Sequence, residues 1–152
     1  QPLCGGPEIN LRLPALIPDD YLPDVHARLI LYKRIANAAD EEGLKELQVE
    51  MIDRFGLLPE PTKNLVRITL LKLHAEKLGI KKIDAGPQGG RIEFAADTCV
   101  DPLTLIKLIQ GQPKHYKFEG ATLFKFSVPM ERPEERFNTL EALLERLTPK
   151  TA

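Results

Sequence analysis

Cysteine is scarce: only Cys4 and Cys99 occur, far apart and outside any CxxC or Cys/His ligand spacing. Neither a structural zinc site nor a disulfide framework is built that way, so free thiols are expected. Long apolar runs are missing too. Stretches such as Ile68-Thr-Leu-Leu71 fall far short of the roughly 20 residues of a membrane span, and no charged-then-apolar leader opens the sequence. The expectation is a cytoplasmic protein with no membrane contact. Charge of one sign is also absent, since 21 Lys and Arg against 22 Asp and Glu leave a formal net charge of -1. There is no global pull toward nucleic acid or anionic lipid, and contact with either must come from a local patch.

Catalytic signatures are lacking as well. The sequence holds no P-loop, no GxSxG elbow and no HExxH, and Gly86, Gly89 and Gly90 lie between two alternating segments rather than between a strand and a helix. His26, His74 and His115 fall on different elements without ligand spacing, and the acidic pairs Asp19-Asp20, Glu41-Glu42 and Glu134-Glu135 are neighbours that point apart. No catalytic group, metal or cofactor is expected in this chain.

What is present is the material of one core. With 43% hydrophobic and 28% charged residues over 152 positions, one compact domain is the default. The sequence opens with Gln rather than Met, and Gln1-Pro-Leu-Cys-Gly-Gly-Pro7 reads as a tether, so a fragment of a longer polypeptide is expected. The boundaries read as a tether over 1–8, a domain over 9–148 and a tail over 149–152.

Residues 9–13 alternate as a short strand does, and the proline-rich stretch 14–23 leads into a turn. Pro23 suits a first helical position, and Val25, Leu29, Tyr32 and Ala36 mark one face of a helix running to about residue 39. A second helix follows Asp40-Glu-Glu-Gly43. The third, roughly 61–78, carries Leu65, Val66, Ile68, Leu70, Leu71 and Leu73 over so wide an arc that more than one side must be covered. Gly79 ends it. Residues 80–83 and 91–95 flank a turn-rich Gly86-Pro-Gln-Gly-Gly90, and Asp101-Pro102 opens a helix with Leu103, Ile106 and Ile109. Residues 115–118 and 123–126 make a second hairpin, and Pro133 starts a last helix bearing Phe137, Leu140, Leu144 and Leu147. The order ββαββα, with helices on one sheet face, follows a helical N-terminal half, so the fold class is α+β.

The second helix is the most informative element. At 100° per residue Leu44, Leu47, Met51 and Phe55 share a stripe, while Glu46, Glu50, Asp53 and Arg54 gather along its side. Gly56 supplies the φ > 0 that ends the helix, and Pro59 and Pro61 prevent its continuation. Glu46 with Glu50 and Glu50 with Asp53 are like-charge neighbours, each destabilising by about 0.2–0.5 kcal/mol, and Glu50 with Arg54 returns about one such pair. Two readings stand: a solvated face, or a flank kept for a basic, hydrogen-bonding partner surface.

The pieces Leu29-Ile-Leu-Tyr-Lys-Arg-Ile-Ala36, Glu50-Met-Ile-Asp-Arg-Phe-Gly-Leu-Leu-Pro59 and Lys77-Leu-Gly-Ile-Lys-Lys-Ile83, preceded by Ile17-Pro-Asp-Asp-Tyr-Leu-Pro-Asp24, resemble the C-terminal domain of the bacterial transcription-repair coupling factors (Mfd) in order and setting. The resemblance covers about residues 8–147. It implies a non-catalytic, autoinhibitory domain of a DNA translocase whose ATPase motor, with its ATP and Mg, lies upstream. Its implied partner is the N-terminal UvrB-like module of the same polypeptide. By packing there it masks the surface for UvrA, and it reaches UvrA, RNA polymerase and DNA only through the parent protein. Carried over by resemblance, Glu50, Asp53 and Arg54, with Glu46 beside them, are the latch contacts, and the isolated domain is expected to be a monomer. The rival reading is an accessory nucleic-acid-binding domain using Lys33-Arg34, Lys81-Lys82 and residues 114–117, with Tyr116 and Phe118 as stacking platforms. Strand alternation sets those two aromatics on one face opposite Lys117, which favours a buried aromatic face.

Overall fold

The computed structural model describes residues 6–150. The elements are β1 (Glu8–Asn10), α1 (Val25–Ala36), α2 (Glu41–Phe55), α3 (Glu60–Leu78), β2 (Ile80–Gly86), β3 (Gly89–Phe94), α4 (Pro102–Gly111), β4 (Tyr116–Glu119), β5 (Leu123–Phe126) and α5 (Pro133–Leu147). The mixed α/β fold and the ββαββα order of the second half are as expected. The described residues form two compact units, one of residues 13–73 and one of residues 6–12 with 74–150. The tether expected over 1–8 falls mostly on residues outside those described, but Pro7 is buried and Glu8 already belongs to β1. The tail expected over 149–152 lies in part outside them too.

In the unit of residues 13–73, Ile17, Leu22, Leu31, Ile35, Leu44, Leu47, Met51 and Leu58 form one buried cluster. Helix α1 turns a different face inward than Val25, Leu29, Tyr32 and Ala36 predict: Leu31 and Ile35 are buried, whereas Val25 and Leu29 are more than half exposed. The helix carries two apolar stripes about one residue apart, and periodicity alone cannot choose between them. The proline-rich stretch before α1 has few backbone partners of its own, so side chains supply them. The Tyr32 hydroxyl accepts from Ile17 N at 2.7 Å, Thr62 Oγ1 donates to Leu16 O at 2.9 Å, and Asn64 Nδ2 donates to Pro14 O at 3.0 Å. Thr62 and Asn64 are buried for that reason.

In the other unit the sheet order is β1-β2-β3-β5-β4. The strand β1 pairs parallel to β2, and the remaining pairs are antiparallel. Period-2 alternation buries Ile83, Ala85, Ile92, Phe124 and Phe126 on one face and leaves Asp84, Arg91 and Lys125 on the other. Tyr116 stacks on Phe124 with centroids 5.6 Å apart, and Phe118 meets the same ring edge-on at 5.6 Å. The aromatics therefore face the interior side while Lys117 is exposed. Helix α5 begins at Pro133 and buries Phe137, Leu140, Leu143, Leu144 and Leu147. Helix α4, capped by Asp101, buries Leu105 and Leu108, not Leu103 and Ile106, which stay exposed. Like α1, it is apolar on more than one side.

One charged side chain is fully enclosed. Arg136, 4% exposed, donates from Nη1 to Leu11 O at 2.8 Å, from Nη2 to Met130 O at 2.9 Å and Glu131 O at 3.1 Å, and from Nε to Met130 O at 3.1 Å. Its guanidinium satisfies three carbonyls that belong to no ladder. Arg136→Ala strands those carbonyls, and losing charge-assisted bonds of this kind costs about 1.5–3 kcal/mol. A urea-unfolding comparison should show a loss of at least that size, and a change within about 0.5 kcal/mol, typical of a surface site, would contradict the role.

Candidate functional site

Helix α2 is fixed at both ends. Asp40 accepts from Gly43 N at 2.8 Å, and Gly56, at φ 99°, closes the helix with its N–H on Ile52 O. The Tyr21 hydroxyl lies 2.8 Å from Gly56 O and 3.2 Å from Met51 O, and its ring meets Phe55 edge-on at 6.0 Å. With Leu44, Leu47 and Met51 buried as the periodicity predicts, the flank of Glu46, Glu50, Asp53 and Arg54 must face outward.

Glu50 is the centre of that flank. Arg34 of α1 grips it with two parallel bonds, Nη1 to Oε2 and Nη2 to Oε1, both 2.8 Å. Arg54 Nη1 donates to the same Oε2 at 3.2 Å, while its guanidinium carbon sits 4.8 Å from the Phe55 ring centroid. A bidentate guanidinium–carboxylate pair is among the stronger and more directional hydrogen-bonding arrangements. The bond from Arg34, reinforced by Arg54 and by both positive charges, holds the Glu50 carboxyl down to about 2. The Arg34 guanidinium is in turn held above its usual range by Glu50.

This changes the expected roles. The repulsion along the flank is relieved inside the chain by Arg34, which the sequence shows only as half of a basic pair. Both Glu50 oxygens are engaged, so Glu50 is a brace between two helices. Asp53 and Glu46 are exposed and make no ion pair or hydrogen bond among the described residues. They are the open acceptors of the flank. Arg34 keeps 44% and Arg54 57% of its side chain exposed, so both still present N–H groups to solvent. The apolar side chain of Val49 lies on the same face and is 59% exposed.

The edge is an open surface, since one helix supplies Lys45, Glu46, Val49, Glu50, Asp53 and Arg54. Such a face recognises another protein surface better than it encloses a small molecule. Among the described residues no group of three or more His, Cys, Asp or Glu could hold a metal ion, and no helix is long and apolar enough to cross a membrane. Cys99 is a free, exposed thiol, and Cys4 lies outside the described residues.

These features sit in a segment with known relatives. Residues 11–105 match the TRCF domain, and the chain belongs to that family. The transcription-repair-coupling factor of Haemophilus influenzae is 52% identical over 137 residues, covering 90% of this chain and 12% of that protein. Its counterpart in Escherichia coli K12 is 46% identical over 140 residues, covering 92% of this chain and 12% of that protein. A solved structure described as the C-terminal domain of transcription-repair coupling factor matches with a TM-score of 0.77 at 26% identity, over 94% of each chain. The chain thus spans about 12% of the length of these two curated relatives.

The depressed Glu50 carboxyl sets a pH dependence. Its folded value, about 2, lies below the roughly 4.3 of a free glutamate, so its contribution to stability is complete above that free value and lost as pH falls from about 5 to about 2. The difference in unfolding midpoint between the wild type and Glu50→Gln should shrink across that window. NMR titration of Arg34→Ala should show the Glu50 carboxyl moving up toward the ordinary glutamate range; a carboxyl that stays near 2 would remove Arg34 as the main cause.

Proposed function

We propose that this chain is a non-catalytic regulatory domain of a transcription-coupled DNA repair translocase, and that it packs through the α1–α2 edge on an N-terminal UvrB-like module of the same polypeptide. In that position it covers the surface UvrA uses and restrains the motor until RNA polymerase is engaged. ATP, Mg and DNA belong to the motor in this scheme, and the setting is the bacterial cytoplasm. The observation that carries the reading is the edge itself: a charge network made rigid by Arg34, Glu50 and Arg54, with Asp53 and Glu46 left unsatisfied beside exposed Val49.

Chemically, Asp53 and Glu46 accept charge-assisted hydrogen bonds from basic residues of the partner module. The exposed N–H groups of Arg54 and Arg34 donate to its carboxylates or carbonyls. Glu50 contributes by holding both guanidiniums in place before the partner arrives, which reduces the ordering cost of docking. Rim pairs of this kind are worth about 0.2–1 kcal/mol each, so a few together make a clamp that can open. Masking works by occupancy: a surface that holds the domain cannot hold UvrA, and each displaces the other.

The test is a full-length parent protein carrying Asp53→Arg with Arg54→Glu, compared with the wild type for UvrA capture and for ATP hydrolysis without DNA or polymerase. Removing about 1–2 kcal/mol of docking energy lowers the closed-to-open ratio by about five- to thirty-fold, so both readouts should rise. If UvrA capture and basal hydrolysis both match the wild type while the circular dichroism spectrum is unchanged, the edge is not the latch.

A further inference from the structure

The solvent face of the five-stranded sheet arranges its charges by register. Directly opposed residues share a face, so Asp84, Arg91, Lys125 and Lys117 form one line across β2, β3, β5 and β4. Two residues further along each strand, Lys82, Glu93, Leu123 and Glu119 form a second line, about 7 Å away from the strand rise. The first line sets three cations on neighbouring strands, roughly 4.8 Å apart, an arrangement that weakens a sheet. Lys125 is answered by Glu119 at 3.2 Å, whereas Arg91 and Lys117 make no ion pair or hydrogen bond among the described residues.

Arg12 joins this line at high conformational cost. It has φ 58°, the one positive φ at a non-glycine residue among those described. A side chain in the left-handed region is strained and persists only when its surroundings impose it. They do: Asn10 Oδ1 accepts from Arg12 N at 3.2 Å, and the preceding carbonyl, Leu11 O, is held by buried Arg136 at 2.8 Å. The guanidinium lies over Gly86, where an added Cβ would stand 2.7 Å from Nη1. There it gains little. Its approach to Asp84 Oδ1 is 3.8 Å, too long for a hydrogen bond, and that oxygen is buried with no hydrogen-bond partner. The Arg12 side chain is 63% exposed, and with Arg91, Lys125 and the β2–β3 hairpin it borders a polar concavity of about 740 Å³.

We propose that this face is a second docking surface, one that takes a carboxylate-rich segment of a protein partner, with carboxylates seated among Arg12, Arg91, Lys125 and Lys117. The second line decides between acidic protein and nucleic acid. A polyphosphate backbone repeats its charge along its whole length and meets Glu93 and Glu119 only about 7 Å from the cations. A protein segment can alternate, placing a basic or apolar side chain over Glu93, Leu123 and Glu119. Stacking gives nucleic acid no foothold here either, because Tyr116 and Phe118 belong to the opposite face with Phe124. None of these residues lies on α1 or α2, so the surface shares no residue with the proposed latch edge.

The test is NMR titration of the isotope-labelled chain, at low ionic strength, with a short peptide that alternates glutamate with apolar residues, inorganic phosphate and a short DNA duplex. Peptide-induced shifts should cluster at Arg12, Gly89, Arg91 and Lys125 and fade on going from about 25 to about 200 mM salt. Arg91→Glu with Lys117→Glu should weaken peptide binding about tenfold or more. Arg12→Gly, which keeps the backbone conformation and removes only the guanidinium, should weaken it with no loss of thermal stability. Three results overturn the proposal: no peptide shifts at millimolar concentration, shifts that ignore both variants, or tighter binding of duplex or phosphate than of peptide at these residues.

Discussion

A carboxylate has two oxygens, and in Glu50 both are taken by guanidiniums of the chain itself. That saturation orders much of the helical unit. Helix α1 has two apolar stripes of similar quality, and the stripe that is buried, Leu31 with Ile35, is the one that swings Arg34 toward α2. Burying Val25, Leu29 and Ala36 instead would rotate Arg34 by about 100° and strand Glu50 among like charges. An exposed pair is too weak to hold a fold but enough to choose between near-equal packings. The fork acts on register more than on stability.

A related constraint runs through the irregular segments. Backbone carbonyls that leave water without a helix or strand partner need side-chain donors. Of the described residues that are polar yet buried, Thr62, Asn64 and Arg136 each satisfy such a carbonyl, whereas Thr69 bonds Leu65 O within its own helix. Thr62 and Asn64 hold the stretch before α1, whereas Arg136 gathers Leu11, Met130 and Glu131. The same grip on Leu11 fixes the strained Arg12 that follows it. Stability in one place is thereby converted into strain, and a poised guanidinium, in the next.

What could be read from the sequence was local. Gly56 and Gly79 ended their helices because both adopt positive φ, Pro133 opened α5, and the two hairpins lay where glycine-rich turns separated alternating segments. The stripe of α2 was legible because its opposite side is charged, which leaves one choice. The stripes of α1 and α4 were not, because apolar residues occur on several sides and only the packed partner decides. Pairings distant in sequence were hidden as well: β1 beside β2, β3 beside β5 rather than β4, and Leu11 bound by Arg136. For the edge, Asp53 and Glu46 stand free as read, but the tie from Arg34 to Glu50 crosses between helices. No spacing rule within a single helix can display it.

The division of labour on the α2 edge follows from magnitudes. Val49, 59% exposed on that face, contributes on the order of 1 kcal/mol when the rest of its side chain is buried. Each charge pair at the rim contributes about 0.2–1 kcal/mol. On the proposed reading, then, burial of Val49 and the rim charge pairs are of similar size, and Asp53, Glu46 and the two arginines decide where and in what orientation the partner sits. Tethering changes what that energy must achieve. Within one polypeptide docking is intramolecular, and an effective concentration of about millimolar would let an intrinsic dissociation constant of tens of micromolar keep the clamp mostly closed. Such an affinity corresponds to about −6 to −7 kcal/mol and leaves the closed state only a few kcal/mol below the open one. A competing surface that binds the exposed module by more than that margin opens the clamp without any change in the domain itself.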